Sequence, residues 1–276
     1  MSKDVKIGLA LGGGGARGLA HLPVLEVFDN LGIRPAAISG ASIGAIIGAI
    51  YASGISARDI REYVNTHLKI KKEEHSWKLE GRNLMQMVKL LDLDFSGTGL
   101  IKGENFSHFL YEILEIEEFS EMKIPLSVVA TDFWNSSEVV FRSGKVMPAV
   151  KASMSVPGVF TPVSYQGHVL VDGACVNPVP WDALEDCDVI IGVNVLGHLE
   201  PVKGLKPPKA GRVVLETFEV MQRTILAQRL RLNPPDLFLD PGITGIGLFD
   251  FHKAVQVYQQ SEGIVQELRS FLHRIL

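Results

Sequence analysis

A serine held between two glycines, Gly40-Ala41-Ser42-Ile43-Gly44, stands where the short run Pro35 to Ser39 gives way to the apolar, Ala- and Ile-rich stretch Ala45 to Ala52. The upstream run can hold a strand and the downstream one suits a buried helix. Between them a G-x-S-x-G pattern forms a tight strand-to-helix turn. Its flanking residues must be small so that the backbone can reverse, and the serine hydroxyl projects above the sheet at a helix N-terminus. Ser42 is therefore the candidate nucleophile, with Gly40 and Gly44 shaping the elbow.

A second turn lies upstream. Val5 to Leu11 is a compact apolar run that reads as the first strand, followed at once by Gly12-Gly13-Gly14-Gly15-Ala16-Arg17-Gly18 and a helix from about Leu19 to Leu31. Gly13, Gly15 and Gly18 also satisfy G-x-G-x-x-G, the turn that seats a pyrophosphate on a helix N-terminus in nucleotide-dependent oxidoreductases. The acidic ribose ligand expected roughly 20 residues on is missing, because the next strand runs straight into the serine turn. Successive glycines can aim backbone N–H groups at a phosphate or at the oxyanion of a tetrahedral intermediate. The order strand, glycine loop, helix, strand, serine elbow sets the two loops side by side at the C-terminal edge of a parallel sheet, which favours the oxyanion.

Gly13-Gly14-Gly15-Ala16-Arg17-Gly18 followed by Gly40-Ala41-Ser42-Ile43-Gly44 resembles the patatin-like phospholipase family. A third block extends the likeness: Val169-Leu170-Val171-Asp172-Gly173-Ala174 is an apolar strand ending in the Asp-Gly-Ala that carries that family's catalytic aspartate. Ala152 to Phe160 and Asn177 to Pro180 resemble bacterial members as well, so the likeness covers roughly the first 200 residues. The resemblance implies a three-layer α/β/α sandwich around a mostly parallel sheet. It also implies one hydrolase domain over residues 1–276, with a core at about 5–200 and a C-terminal helical segment at about 211–276. The reaction it implies is hydrolysis of phospholipid-like carboxylic esters through an acyl-enzyme. In that scheme Ser42 attacks, Asp172 is the base, and the N–H groups of Gly13, Gly14 and Gly15 hold the oxyanion. Arg17 and Gly18 support the loop, Arg17 either steadying it or meeting an anionic head group, against the plainer reading of a surface salt bridge. Gly173 and Ala174 complete the aspartate motif, and no metal or cofactor is needed. A non-catalytic binding module on the same fold is the remaining alternative, opposed by intact Ser42 and Asp172.

Elsewhere the chain reads as scaffold. Ser56-Ala57-Arg58-Asp59 has the form of a capping box opening a helix to about His67. Lys69 to Lys102 is either a cover over the site or a pair of surface helices. Ile124 to Thr131, Val139 to Phe141 and Val189 to Val195 read as strands. Asp132, at a strand end, is a cap or turn residue ranked below Asp172. Pro201 to Pro208 is a loop, Gly211 to Leu232 a helix, Leu237 to Leu239 a last strand, and Ala254 to Leu276 an amphipathic helix that docks on the body, with membrane or partner contact left open. His168, His198 and His252 follow Ser42 in order, and each reads as a surface or packing residue.

Composition narrows the classes. A net charge of -4 gives no electrostatic reason to expect nucleic acid, and 46% hydrophobic with 21% charged residues is an ordinary globular balance. The apolar runs are too short to cross a bilayer. Met1-Ser2-Lys3-Asp4 lacks a secretory signal and the glycine that myristoylation needs, so an intracellular location is expected, with peripheral contact to a lipid surface open. Cys175 and Cys187 match no metal spacing and read as buried reduced thiols. Lipid or acyl ester is the expected partner, and oligomeric state is left open.

Overall fold

The computed structural model describes residues 5–67, 114, 116–198 and 210–276. The expected cover at Lys69 to Lys102 and the loop Pro201 to Pro208 lie outside the described residues. The strands are β1 (Ile7–Leu11), β2 (Ala37–Ala41), β3 (Leu126–Asp132), β4 (Ser137–Phe141), β5 (Val163–Tyr165), β6 (His168–Asp172), β7 (Val189–Val193) and β8 (Leu237–Leu239). The helices are α1 (His21–Leu31), α2 (Ile43–Ala52), α3 (Ala57–His67), α4 (Val146–Ser153), α5 (Ala210–Leu232), α6 (Ala254–Gln260) and α7 (Glu262–Ile275).

One eight-stranded sheet runs β5-β6-β3-β2-β1-β7-β8, with β4 also paired to β3. The pairs β1 with β2, β1 with β7, β2 with β3 and β7 with β8 are parallel. β4, β5 and β6 join antiparallel. Alternation along the central strands sends side chains to opposite faces. Ile7, Leu9 and Leu11 of β1, with Ile191 and Val193 of β7, enter a core shared with α1, α2, α3, α4 and α7. Ala10 and Ile190 face a second core under α5, with Trp181, Leu184, Leu226 and Leu230. Helices thus cover both faces of a mostly parallel sheet, the three-layer α/β/α arrangement.

The register places the chain ends that matter. Val128 and Val129 of β3 pair with both β2 and β4, whereas Ala130 to Asp132 pair with both β4 and β6. A strand has two edges, so β2 and β6 must share the edge opposite β4. They meet there head to head: β2 ends at Ala41 opposite Val129, and β6 arrives from the other direction with Asp172 opposite Ala130. Ser42, the residue after Ala41, therefore faces Asp172.

Local detail departs from the sequence reading in a few places. The first helix opens as a 3-10 turn, Gly15–Ala20, before α1. β2 runs on through Gly40 and Ala41 to the elbow. The C-terminal helix is broken at Ser261, whose hydroxyl donates to the Val257 carbonyl at 2.7 Å, before α7 packs on α1. Half of the capping box forms: Ser56 Oγ accepts from Asp59 N at 3.1 Å, and it donates to Asp59 Oδ2 at 2.7 Å. Both cysteines are free, but each is partly exposed rather than buried.

Close approach explains the elbow's second glycine. A Cβ on Gly44 would stand 2.0 Å from the Leu11 carbonyl oxygen, so α2 can lie across β1 only without one. On Gly263, in the exposed first turn of α7, a Cβ would meet nothing within 4 Å. Gly44→Ala is expected to abolish soluble, folded protein. Gly263→Ala should raise stability by about 0.5–1 kcal/mol, the helix-propensity difference. Thermal unfolding checks the pair, and equal effects from the two would contradict this packing.

Candidate active site

Ser42 sits at φ 55 and ψ -125, a positive φ that an L residue adopts only under restraint, with a strain on the order of 1–3 kcal/mol. Both of its backbone groups are held. Its carbonyl accepts from Ala45 N at 3.0 Å and Ile46 N at 3.2 Å, starting α2. Its N–H donates to Ser153 Oγ at 2.9 Å.

Asp172 closes β6 and is 1% exposed. Its Oδ1 accepts from Ala174 N at 2.8 Å, its carbonyl accepts from Thr131 Oγ1 at 2.8 Å, and its N–H donates to the Ser155 carbonyl at 3.0 Å. The Ser42 side chain lies close enough to pull the carboxyl pKa down. Burial drives the carboxyl pKa up to about 7 against the weaker, lowering pull of Ser42 and the Ala174 amide. Near neutrality such a group can both take and return a proton.

The glycine loop lies on this pair. A Cβ on Gly13 would be 2.9 Å from Ala174 Cβ and 3.1 Å from Ser42 Cβ, so the loop touches the elbow and the aspartate motif at once. Its donors are not equivalent. Gly12 N is committed to the Val193 carbonyl at 3.0 Å, and Gly13 N to that of Pro178 at 2.9 Å. Of the three glycines expected to hold an oxyanion, Gly13 has its N–H engaged, whereas Gly14 and Gly15, at the N-cap and first position of the 3-10 turn, have no acceptor among the described residues. A Cβ on Gly14 would lie 2.1 Å from the Val195 carbonyl oxygen, so substitution there displaces the loop itself.

Arg17 is buried and turned away from the site. Its Nε donates to the Gly14 carbonyl at 3.2 Å, Nη1 to that of Ile246 at 3.3 Å, and Nη2 to Glu219 Oε1 of α5 at 2.7 Å. With those donors committed it ties the loop to α5. Neither a surface salt bridge nor an open head-group contact describes it. Gly18 packs on Ile43, the residue after Ser42. His21, which sequence reasoning did not single out, is fully buried with Nε2 2.9 Å from the Gly12 carbonyl, and burial lowers its pKa to about 4. Neutral at working pH, it props the loop. Its only advance signal was a histidine opening the helix after a glycine run.

The other histidines stand apart. His168 begins β6, four residues from Asp172, which is roughly 13 Å at a strand's rise. It pairs instead with Asp132 at 2.5 Å, and Asp132 also accepts from the Trp134 and Asn135 amides; these contacts hold its carboxyl down at about 2. Asp132 is a turn residue, as its position implied. His198 lies 3.8 Å from Asp240 and His252 is exposed. None is hydrogen-bonded to Ser42 or Asp172. Among the described residues no His, Cys, Asp and Glu cluster fits a metal ion, and no helix is long and apolar enough to cross a membrane.

A strained serine turn, a buried aspartate and a glycine loop now stand together, and residues 9–185 match the family model described as "Patatin-like phospholipase". The chain belongs to the patatin-like phospholipase family. The "Uncharacterized NTE family protein Rv1063c" of Mycobacterium tuberculosis is 28% identical over 209 residues, 75% of this chain and 54% of that protein. Human "Patatin-like phospholipase domain-containing protein 6" is 31% identical over 178 residues, 64% of this chain but 12% of that protein. This patatin-like chain thus spans about half the length, or much less, of the curated relatives it matches. Among solved structures, VipD from Legionella pneumophila aligns over 95% of this chain and 67% of that chain, with 14% identity and a TM-score of 0.47.

The buried carboxyl has a consequence for stability. An acid whose pKa is higher folded than unfolded binds its proton more tightly in the native state. Its stabilising contribution is whole below the unfolded value of 3.8 and is lost as pH rises toward about 7. Asp172→Asn, which cannot ionise, should therefore melt at a higher temperature than the parent at pH 8 and converge with it near pH 4. A gap that does not widen with pH contradicts the burial argument.

Proposed function

We propose that this patatin-like chain hydrolyses carboxylic esters of phospholipid-like substrates through an acyl-enzyme, with Ser42 as nucleophile and Asp172 as the single acid-base group. The observation that carries this reading is the meeting of a strained serine with a desolvated carboxyl beneath a loop that has two N–H donors without an acceptor among the described residues. Ser42 Oγ attacks the ester carbonyl carbon while its proton passes to Asp172. Gly14 N–H and Gly15 N–H receive the oxyanion, where donors fixed in advance strengthen in the transition state. Collapse breaks the acyl C–O bond, and Asp172 returns the proton to the departing alcohol. Water then attacks the acyl-Ser42 ester, Asp172 taking its proton and handing it back to Ser42 Oγ as the acid leaves. No metal or cofactor enters these steps.

Lipid as substrate follows from the family, whose lipid chemistry also makes peripheral contact with a membrane surface reasonable. A nucleotide-binding oxidoreductase is disfavoured by packing, since the space over Gly13 is filled by Ser42 and Ala174. Treatment with an alkyl fluorophosphonate and mass mapping should find the adduct on Ser42. Ser42→Ala and Asp172→Asn should lose most ester hydrolysis while single alanines at His168, His198 and His252 retain it. In the parent, kcat/KM should rise with pH through about 7, because only ionised Asp172 accepts the serine proton. An adduct on Ser153 or Ser155 with Ser42→Ala active, or one histidine variant that is folded and inactive, contradicts the dyad.

A further inference from the structure

Where β2 and β6 both end, the edge of β3 between Val129 and Ala130 loses its regular ladder. One side chain bridges the gap. Ser153, the last residue of α4 and fully buried, donates its hydroxyl to the Val129 carbonyl at 2.6 Å and accepts the Ser42 N–H at 2.9 Å. Two residues later, the Ser155 carbonyl accepts the Asp172 N–H at 3.0 Å. The segment Ser153-Met154-Ser155 therefore holds the backbone of both members of the proposed dyad, and it is anchored by Ala149, Val150 and Ala152, all buried in the core.

We propose that Ser153 is a positioning residue for the nucleophile, on the reading of Ser42 and Asp172 given above. Two effects combine in it. Its Oγ fixes the Ser42 amide in the positive-φ geometry that aims the Ser42 hydroxyl at Asp172. By occupying that amide it also removes the nucleophile's own N–H from the oxyanion site and leaves the developing charge to Gly14 and Gly15. Removing Oγ frees the elbow to relax, and a misplacement on the order of 1 Å can lower rate by about 10²-fold without altering what binds the substrate. The hydroxyl also satisfies the buried Val129 carbonyl, so an alanine variant loses a fold contact as well. Ser153→Cys fills the space that alanine empties, while its thiol, a weak donor and a weak acceptor, weakens both bonds.

The test measures the rate of alkyl fluorophosphonate labelling at Ser42 per folded molecule. It adds kcat and KM on a short p-nitrophenyl ester, the pH profile, and thermal unfolding, for the parent, Ser153→Ala and Ser153→Cys. Both variants should label about 10- to 100-fold more slowly. Their kcat should fall with KM within about twofold, the signature of a contribution made in the transition state. The rise through about pH 7 should persist, because Asp172 keeps its burial. Ser153→Cys keeps the buried volume that Ser153→Ala removes and, with rates taken per folded molecule, decides the matter if Ser153→Ala does not fold. Undiminished labelling in Ser153→Cys, or a raised KM with unchanged kcat, overturns the positioning role while leaving the dyad reading intact. A parent that does not label at Ser42 overturns both.

Discussion

The organisation of this molecule turns on two strands meeting end to end along one edge of a third. β2 runs up that edge of β3 and β6 runs down it, and the single register step between Val129 and Ala130 brings Ser42 against Asp172. Backbone pairing, rather than any side-chain contact, sets this distance. It also forces the sharp reversal at Ser42, since β2 cannot continue where β6 already lies. The strain at φ 55 is a consequence of the junction, held by α2 on the carbonyl side and by Ser153 on the amide side.

The same junction buries the carboxyl. Asp172 is enclosed by the Asp-Gly-Ala turn, by β3 and by the glycine loop, and its strongest influence is loss of water rather than a neighbouring charge. A salt bridge would have lowered its pKa and made it a poor base near neutrality. The loop's cation is kept out of reach accordingly: Arg17 is spent on Glu219, the Gly14 carbonyl and Ile246, so it orients the loop without placing its charge on the aspartate. Asp132, which does have a polar partner in His168, is correspondingly held acidic at the far end of the antiparallel strands.

Much of this was legible in the residues because the chemistry demands local motifs. The glycine loop, the elbow and Asp-Gly-Ala each lie within a few residues, and the strands before them are short, mostly apolar runs. What was not legible is non-local. That Gly13 N–H is consumed by Pro178, that Arg17 is answered by Glu219 far along the chain, and that Ser153 bridges Val129 and Ser42 all depend on tertiary approach. No periodicity or turn signal encodes such approach. α4, short and with Pro148 in its first turn, gave too little helical period to be read. The short edge strand β5 was missed for the same reason, its three residues being too few to show alternation.

The central claim is that one desolvated aspartate, beside Ser42 and without histidine help, titrates near neutrality. Carboxyl-¹³C NMR of aspartate-labelled protein, with the Asp172 signal assigned by its loss in Asp172→Asn, measures this directly. The account predicts an inflection at about pH 7. An Asp172 signal that titrates at or below 3.8, the ordinary aspartate value, would contradict it.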